Sequence, residues 1–138
     1  MADAKPPAVV DLEWKGGLTF MARAGAREWV LDGRSEEGPS PVVTLASALG
    51  GCMAIDVVHI LTRGRFDVRS LNARLTGHRA DTEPRRFTAI ELLFVIDTTA
   101  PADQVDRAIA LSRDKYCSVW HSLRQDIELV TSVSLAGA

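Results

Sequence analysis

The stretch Ser40-Pro41-Val42-Val43-Thr44-Leu45-Ala46-Ser47-Ala48-Leu49-Gly50-Gly51-Cys52-Met53-Ala54-Ile55-Asp56-Val57-Val58-His59-Ile60-Leu61 decides the fold. It reads as one long helix. Ser40 is a good N-cap, and Pro41 suits the first helical position, where a missing N–H costs nothing. Gly64 sits where a stop is expected, with Arg63 near the negative end of the helix dipole. At about 100° per residue, Leu45, Leu49, Met53, Ile55, Val57, Val58, Ile60 and Leu61 spread nearly all the way round. A helix apolar on almost every side is expected to be buried and to run through the middle of its domain. Its polar groups gather instead of scattering. Cys52, Asp56, His59 and Arg63 follow i, i+4, i+7, i+11 and fall on one stripe. A reactive thiol on the one polar stripe of a core helix is the strongest functional signal in the chain. The second lies in Lys115-Tyr116-Cys117-Ser118-Val119, because Cys52 and Cys117 are the only two cysteines.

Working outward, Val10 to Trp14, Leu18 to Ala24 and Glu28 to Asp32 read as a small antiparallel meander, with Lys15-Gly16-Gly17 and Gly25-Ala26 as turns. Met1 to Val10 is a loose arm. Beyond Gly64, Val68 to Arg79 alternates as a half-exposed strand, and Arg86 to Ile96 returns with apolar residues on both faces. A strand apolar on both faces is expected to be covered on both, the second time by another copy of the protein. Pro101 opens a second helix whose buried face is Val105, Ala108, Ile109 and Leu111. The pattern breaks at Tyr116-Cys117-Ser118, which places Cys117 near the N-terminus of a short helical turn and would lower its pKa. Asp126 to Leu135 closes the chain as a strand. This order is an α+β domain with helices on the face of antiparallel strands, read as a single domain over residues 1–138.

Composition excludes several classes. At 138 residues, 46% hydrophobic, 25% charged and net charge −2, the chain is an ordinary domain with no bias toward nucleic acid or an anionic membrane. No apolar run approaching about 20 residues and no signal-peptide pattern is read, so a cytoplasmic location is expected. In a reducing compartment the two cysteines are free thiols, a redox pair or small buried hydrophobes. A metal site from Cys52, Asp56 and His59, with His78 or His121, is disfavoured. Cys52 and His59 lie about 10 Å apart along the helix axis at about 1.5 Å per residue, and no zinc motif is present. No metal and no cofactor are expected. Trp14, Trp29 and Trp120 read as core or interface residues, and Gly50-Gly51 as a place for close helix approach.

Several of these segments together resemble the OsmC/Ohr family of osmotically inducible and organic hydroperoxide resistance proteins. Ser40-Pro41, Ala48 to Cys52 and Ile55-Asp56 resemble its first-cysteine helix. Arg86 to Ile90 with Leu93-Phe94 resembles the strand between its helices, Leu111-Ser112 through Val119 its second-cysteine segment, and Trp14 to Phe20 its N-terminal hairpin. The resemblance implies an intertwined homodimer, with antiparallel sheets wrapped around two long central helices and active sites at the subunit interface. It implies thiol-dependent reduction of organic hydroperoxides. Cys52 would be the nucleophile that becomes a sulfenic acid, and Cys117 the thiol that condenses with it to a disulfide opened by an external thiol reductant. An arginine activates the first cysteine in the peroxidase branches, held by a glutamate in the first turn of the central helix. Here Pro41 is followed by Val42, Val43 and Thr44, with no carboxylate. Arg23, Arg27 and Arg34 are the candidate arginines, with Arg23 preferred. Asp56 is one turn from Cys52 and would raise its pKa unless it held a cation; His59 could approach only a partner chain's site. The alternative is a non-catalytic or weakly catalytic module of the same fold that binds a small apolar ligand.

Overall fold

The computed structural model describes residues 4–136. Of the arm expected over residues 1–10, the first three lie outside the described residues and residues 4–10 carry no regular structure. The chain divides into two compact units, residues 1–45 and 46–138, with the boundary inside one helix.

The N-terminal unit is the expected meander: β1 (Asp11–Gly16), β2 (Thr19–Ala24) and β3 (Arg27–Asp32), antiparallel in that order. Gly16 and Gly17 take positive φ at the first turn, as a tight connection requires, and the Trp14 indole N–H donates to the Gly17 carbonyl at 2.9 Å. Asp32 ends β3 and organises the following polar loop. Its carboxylate, 2% exposed, accepts the Arg34 and Glu37 backbone N–H groups at 2.8 and 2.9 Å. Those bonds, Glu37 first, hold the Asp32 carboxyl below the usual carboxylate range. The loop delivers the chain to α1 (Pro41–Arg63), where Ser40 Oγ accepts the Val43 N–H at 3.2 Å as the expected N-cap.

The second unit pairs most of α1 with β4 (Val68–Arg79), β5 (Phe87–Thr98) and β6 (Glu128–Leu135). Between β5 and β6 run α2 (Ala102–Leu111), a π-helical turn (Ser112–Tyr116) and the single-turn α3 (Ser118–His121). Its core joins Leu49, Met53, Val57 and Leu61 of α1 to Ile90, Leu92, Phe94 and Ile96 of β5 and to Val105, Ala108 and Ile109 of α2. The spacing of four along α1 and of two along β5 shows one stripe of helix lying on one face of the sheet.

Three expectations need correction. The sheet is mixed: β5 is central, β4 pairs with it antiparallel, and β6 pairs with it parallel, because the intervening helices carry the chain back to the starting end. The helix is buried on one face only; Leu45, Ile55 and Val58 are 40%, 69% and 36% exposed, since one sheet covers one stripe. The outer face of β5, the one expected to be covered by another copy, is open within the chain at Leu93, 39% exposed. Finally, α1 at 23 residues is by length and composition long and apolar enough to cross a membrane, contrary to the expectation that no run approaches that length. A core helix passes the same measure, and the inner stripe of α1 packs in the core of its unit. At its C-terminal end the left-handed residue is Arg65, φ 66°, while a Cβ on Gly64 would press on the Phe66 ring at 3.2 Å.

Candidate active site

Cys52 and Asp56 are one turn apart on α1 and share a face. Cys117 comes to them from 65 residues further along the chain. The sulfurs of Cys52 and Cys117 and a carboxylate oxygen of Asp56 all lie within 4.8 Å of one another. Cys52 and Asp56 are half-buried and Cys117 is fully buried. Neither thiol is bridged.

The π turn sets the position of Cys117. Its closing bond runs from the Cys117 N–H to the Ser112 carbonyl at 2.8 Å, five residues back. The backbone then becomes extended at Cys117 (φ −72°, ψ 99°), which caps α3. The Cys117 sulfur accepts the Trp120 N–H at 3.3 Å. The expected helix-terminal depression of its pKa is outweighed. Burial pushes the Cys117 thiol up to about 11, the Trp120 N–H opposes this, and the neighbouring Cys52 adds to the rise. Cys117 is therefore a neutral thiol at neutral pH.

Ser112 was not singled out by sequence reasoning. It is fully buried, and its hydroxyl donates to Asp56 Oδ2 at 2.8 Å. A sign of it was present: Ser112 continues the apolar i, i+4 series from Ala108, so a polar side chain stands on the buried face of α2. A hydroxyl in that position needs a partner.

The rest of the polar stripe belongs to a different feature. Asp56, His59 and Arg63 line a groove of about 620 Å³ together with Ile60, Arg107 and Tyr116. His59 is exposed and is not among the donors clustered with the thiols. A second, more apolar groove of about 430 Å³ runs along the outer side of α1 between Ile55, Val58 and Leu71. Arg23 lies in the N-terminal unit, where its guanidinium meets Glu13 at 3.0 Å and Glu28 at 3.7 Å. No acidic residue occupies the first turn of α1.

A long helix bearing one thiol, a helical crossover bearing the other, and a mixed sheet beneath them define the class of protein. The model of the family described as OsmC-like protein matches residues 33–132, and this chain belongs to that family. It is 39% identical to the Escherichia coli K12 protein YhfA over 130 residues, covering 92% of this chain and 97% of YhfA. A crystal structure of a hypothetical protein from Aquifex aeolicus superimposes with a TM-score of 0.87 at 27% identity, covering 95% and 97% of the two chains. The fold is also that of an organic hydroperoxide resistance protein OsmC from Legionella pneumophila, with a TM-score of 0.72 at 14% identity over 96% and 99% of the chains.

Proposed function

We propose that this protein reduces organic hydroperoxides with Cys52 as nucleophile and Cys117 as resolving thiol. The observation that carries the reading is the approach of the two sulfurs to within 4.8 Å across 65 residues of sequence. The Cys52 thiolate attacks the terminal peroxide oxygen and the O–O bond breaks. The alcohol leaves with the thiol's proton, and Cys52 holds a sulfenic acid. The Cys117 thiol then condenses with it, releasing water and forming the disulfide, and an external dithiol restores both thiols. A neutral, buried Cys117 fits the second role better than the first, because a thiolate is needed for attack. Arg23 stands as the activating cation of this reading and Asp56 as a group that sets the charge beside Cys52.

The working form in this reading is a homodimer. The exposed apolar residues Leu45, Ile55, Val58 and Leu93 support a second copy covering the outer sides of α1 and β5. The chain acts as one functional domain, since the family match runs through the boundary between the compact units. Maintenance of free thiols suits a cytoplasmic location.

A specific observation favours the alternative, a module that binds a small apolar ligand: the first turn of α1 has no carboxylate to hold an activating arginine. One experiment separates the two. Reduced protein receives one equivalent of an alkyl hydroperoxide, and thiol loss is followed by mass spectrometry, with Cys52→Ser and Cys117→Ser beside it. Rapid loss of two thiols to a Cys52–Cys117 disulfide, abolished in both variants, is expected. Two thiols still free after minutes would leave the ligand-binding module.

A further inference from the structure

We infer that the reduced protein binds one soft divalent cation, with zinc as the probe, through Cys52 Sγ, Cys117 Sγ and the Asp56 carboxylate. Sequence spacing alone offers Cys52, Asp56 and His59, a set in which the thiol and the imidazole cannot share an ion. The fold substitutes Cys117 for His59 and brings two sulfurs and one carboxylate oxygen within 4.8 Å of one another. Thiolates in a tetrahedral zinc site stand about 2.3 Å from the metal and therefore about 3.8 Å apart. The three donors thus need to close by only about an ångström, through side-chain rotation.

The support of the cluster is that of a ligand set. Ser112 donates to Asp56 Oδ2, which orients the carboxylate and leaves its other oxygen for a metal. Cys117 is fixed by the closing bond of the π turn. Three protein donors leave one coordination position for water or a small ligand, which could enter from the groove that Asp56 also lines. Binding forms two Zn–S bonds, releases the two thiol protons to solvent and transfers no electrons. The sulfurs that bind the metal are those that would form the disulfide, so metal occupancy and thiol oxidation exclude each other. This inference needs only reduced thiols and does not rest on the peroxidase reading.

The test titrates the reduced full chain with zinc in competition with a chromophoric chelator. One zinc per chain is expected, and alkylation of both thiols with N-ethylmaleimide should abolish it. Cys52→Ser, Cys117→Ser and Asp56→Asn should each weaken binding more than Ser112→Ala, which should cost about 10-fold. His78→Ala, at the exposed His78–Glu91 pair, should change nothing. Cobalt added to the unmutated protein should give thiolate-to-metal charge-transfer absorption and tetrahedral d–d bands, whether or not the variants fold. Absence of both zinc uptake and cobalt bands, or zinc retained after alkylation, overturns the inference. A peroxide-driven disulfide without zinc binding would sink this proposal while sparing the proposed function.

Discussion

The Ser112 hydroxyl donates a 2.8 Å hydrogen bond to Asp56 Oδ2 across 56 residues of sequence, tying the π turn of the β5–β6 crossover to the middle of α1. The serine is fully buried and the aspartate half-buried, so removing the hydroxyl leaves a partly desolvated acceptor without its donor. Ser112→Ala is expected to destabilise the protein by about 1–3 kcal/mol, measured by urea unfolding. Because the two groups share one bond, Asp56→Ala combined with Ser112→Ala should cost less than the sum of the single changes. Strict additivity would show that the bond contributes nothing.

Cys117 makes stability depend on alkaline pH. Its thiol is raised from an ordinary 9.0 to about 11 by burial, so between those values the unfolded chain has released a proton that the folded chain keeps. The linkage sign follows: the contribution is fully present below about pH 9 and is lost as pH rises toward 11. Urea midpoints of the reduced protein should fall over that window, and the Cys117→Ala variant should show a flatter profile. In the same window iodoacetamide should label Cys52 well before Cys117.

Gly51 gives a signed test of a second copy on the outer side of α1. A Cβ at Gly51 would meet nothing within 4 Å inside the chain, whereas one at Gly50 would touch Leu75 and Leu92 at ordinary distances. In an isolated chain, Gly51→Ala should stabilise the helix by roughly 1 kcal/mol through propensity alone. Where another helix approaches at this point the added methyl must be accommodated, so in the proposed dimer Gly51→Ala should lower the melting temperature and weaken association in sedimentation. A rise in melting temperature with unchanged mass would move the contact elsewhere.

Gly77 is required for a different reason. It pairs with Ile90 across β4 and β5, and the Phe87 ring lies where its Cβ would be, closer than real Cβ contacts come. Gly77→Ala should destabilise by about 1–3 kcal/mol, because the aromatic ring must leave its place beside the strand. Phe87→Leu in the same background should recover part of the loss in thermal unfolding.

Local chemistry made the elements legible. Ser40 and Pro41 mark the start of α1, the alternating stretch Val68–Arg79 shares both bounds with β4, and Val105, Ala108 and Ile109 make the buried face of α2 as periodicity requires. The parallel pairing of β6 was not legible, since a strand's partners depend on where the preceding helices return the chain. Nor was the one-sided burial of α1. Periodicity reports which residues avoid water, and Ile55 and Val58 are apolar whether the cover comes from this chain or another. Within the candidate site, Cys52 and Asp56 could be paired by helical spacing. Cys117 could be joined to them only by resemblance, and Ser112 only by the fold. The π turn that aims both inserts a five-residue ring that 3.6-residue periodicity cannot foresee.

The parallel β5–β6 pair also sets an order of events for a nascent chain. Residues 99–127, which carry Ser112 and Cys117, are the crossover itself, anchored at one end by β5 and at the other by β6. Such a connection closes late, because its loop entropy must be met before the distant strand rewards it. Cys52 is therefore translated as a solitary thiol, and Cys117 follows 65 residues later. The nearness of the two sulfurs therefore reports on the docking of the whole crossover and not on any local element.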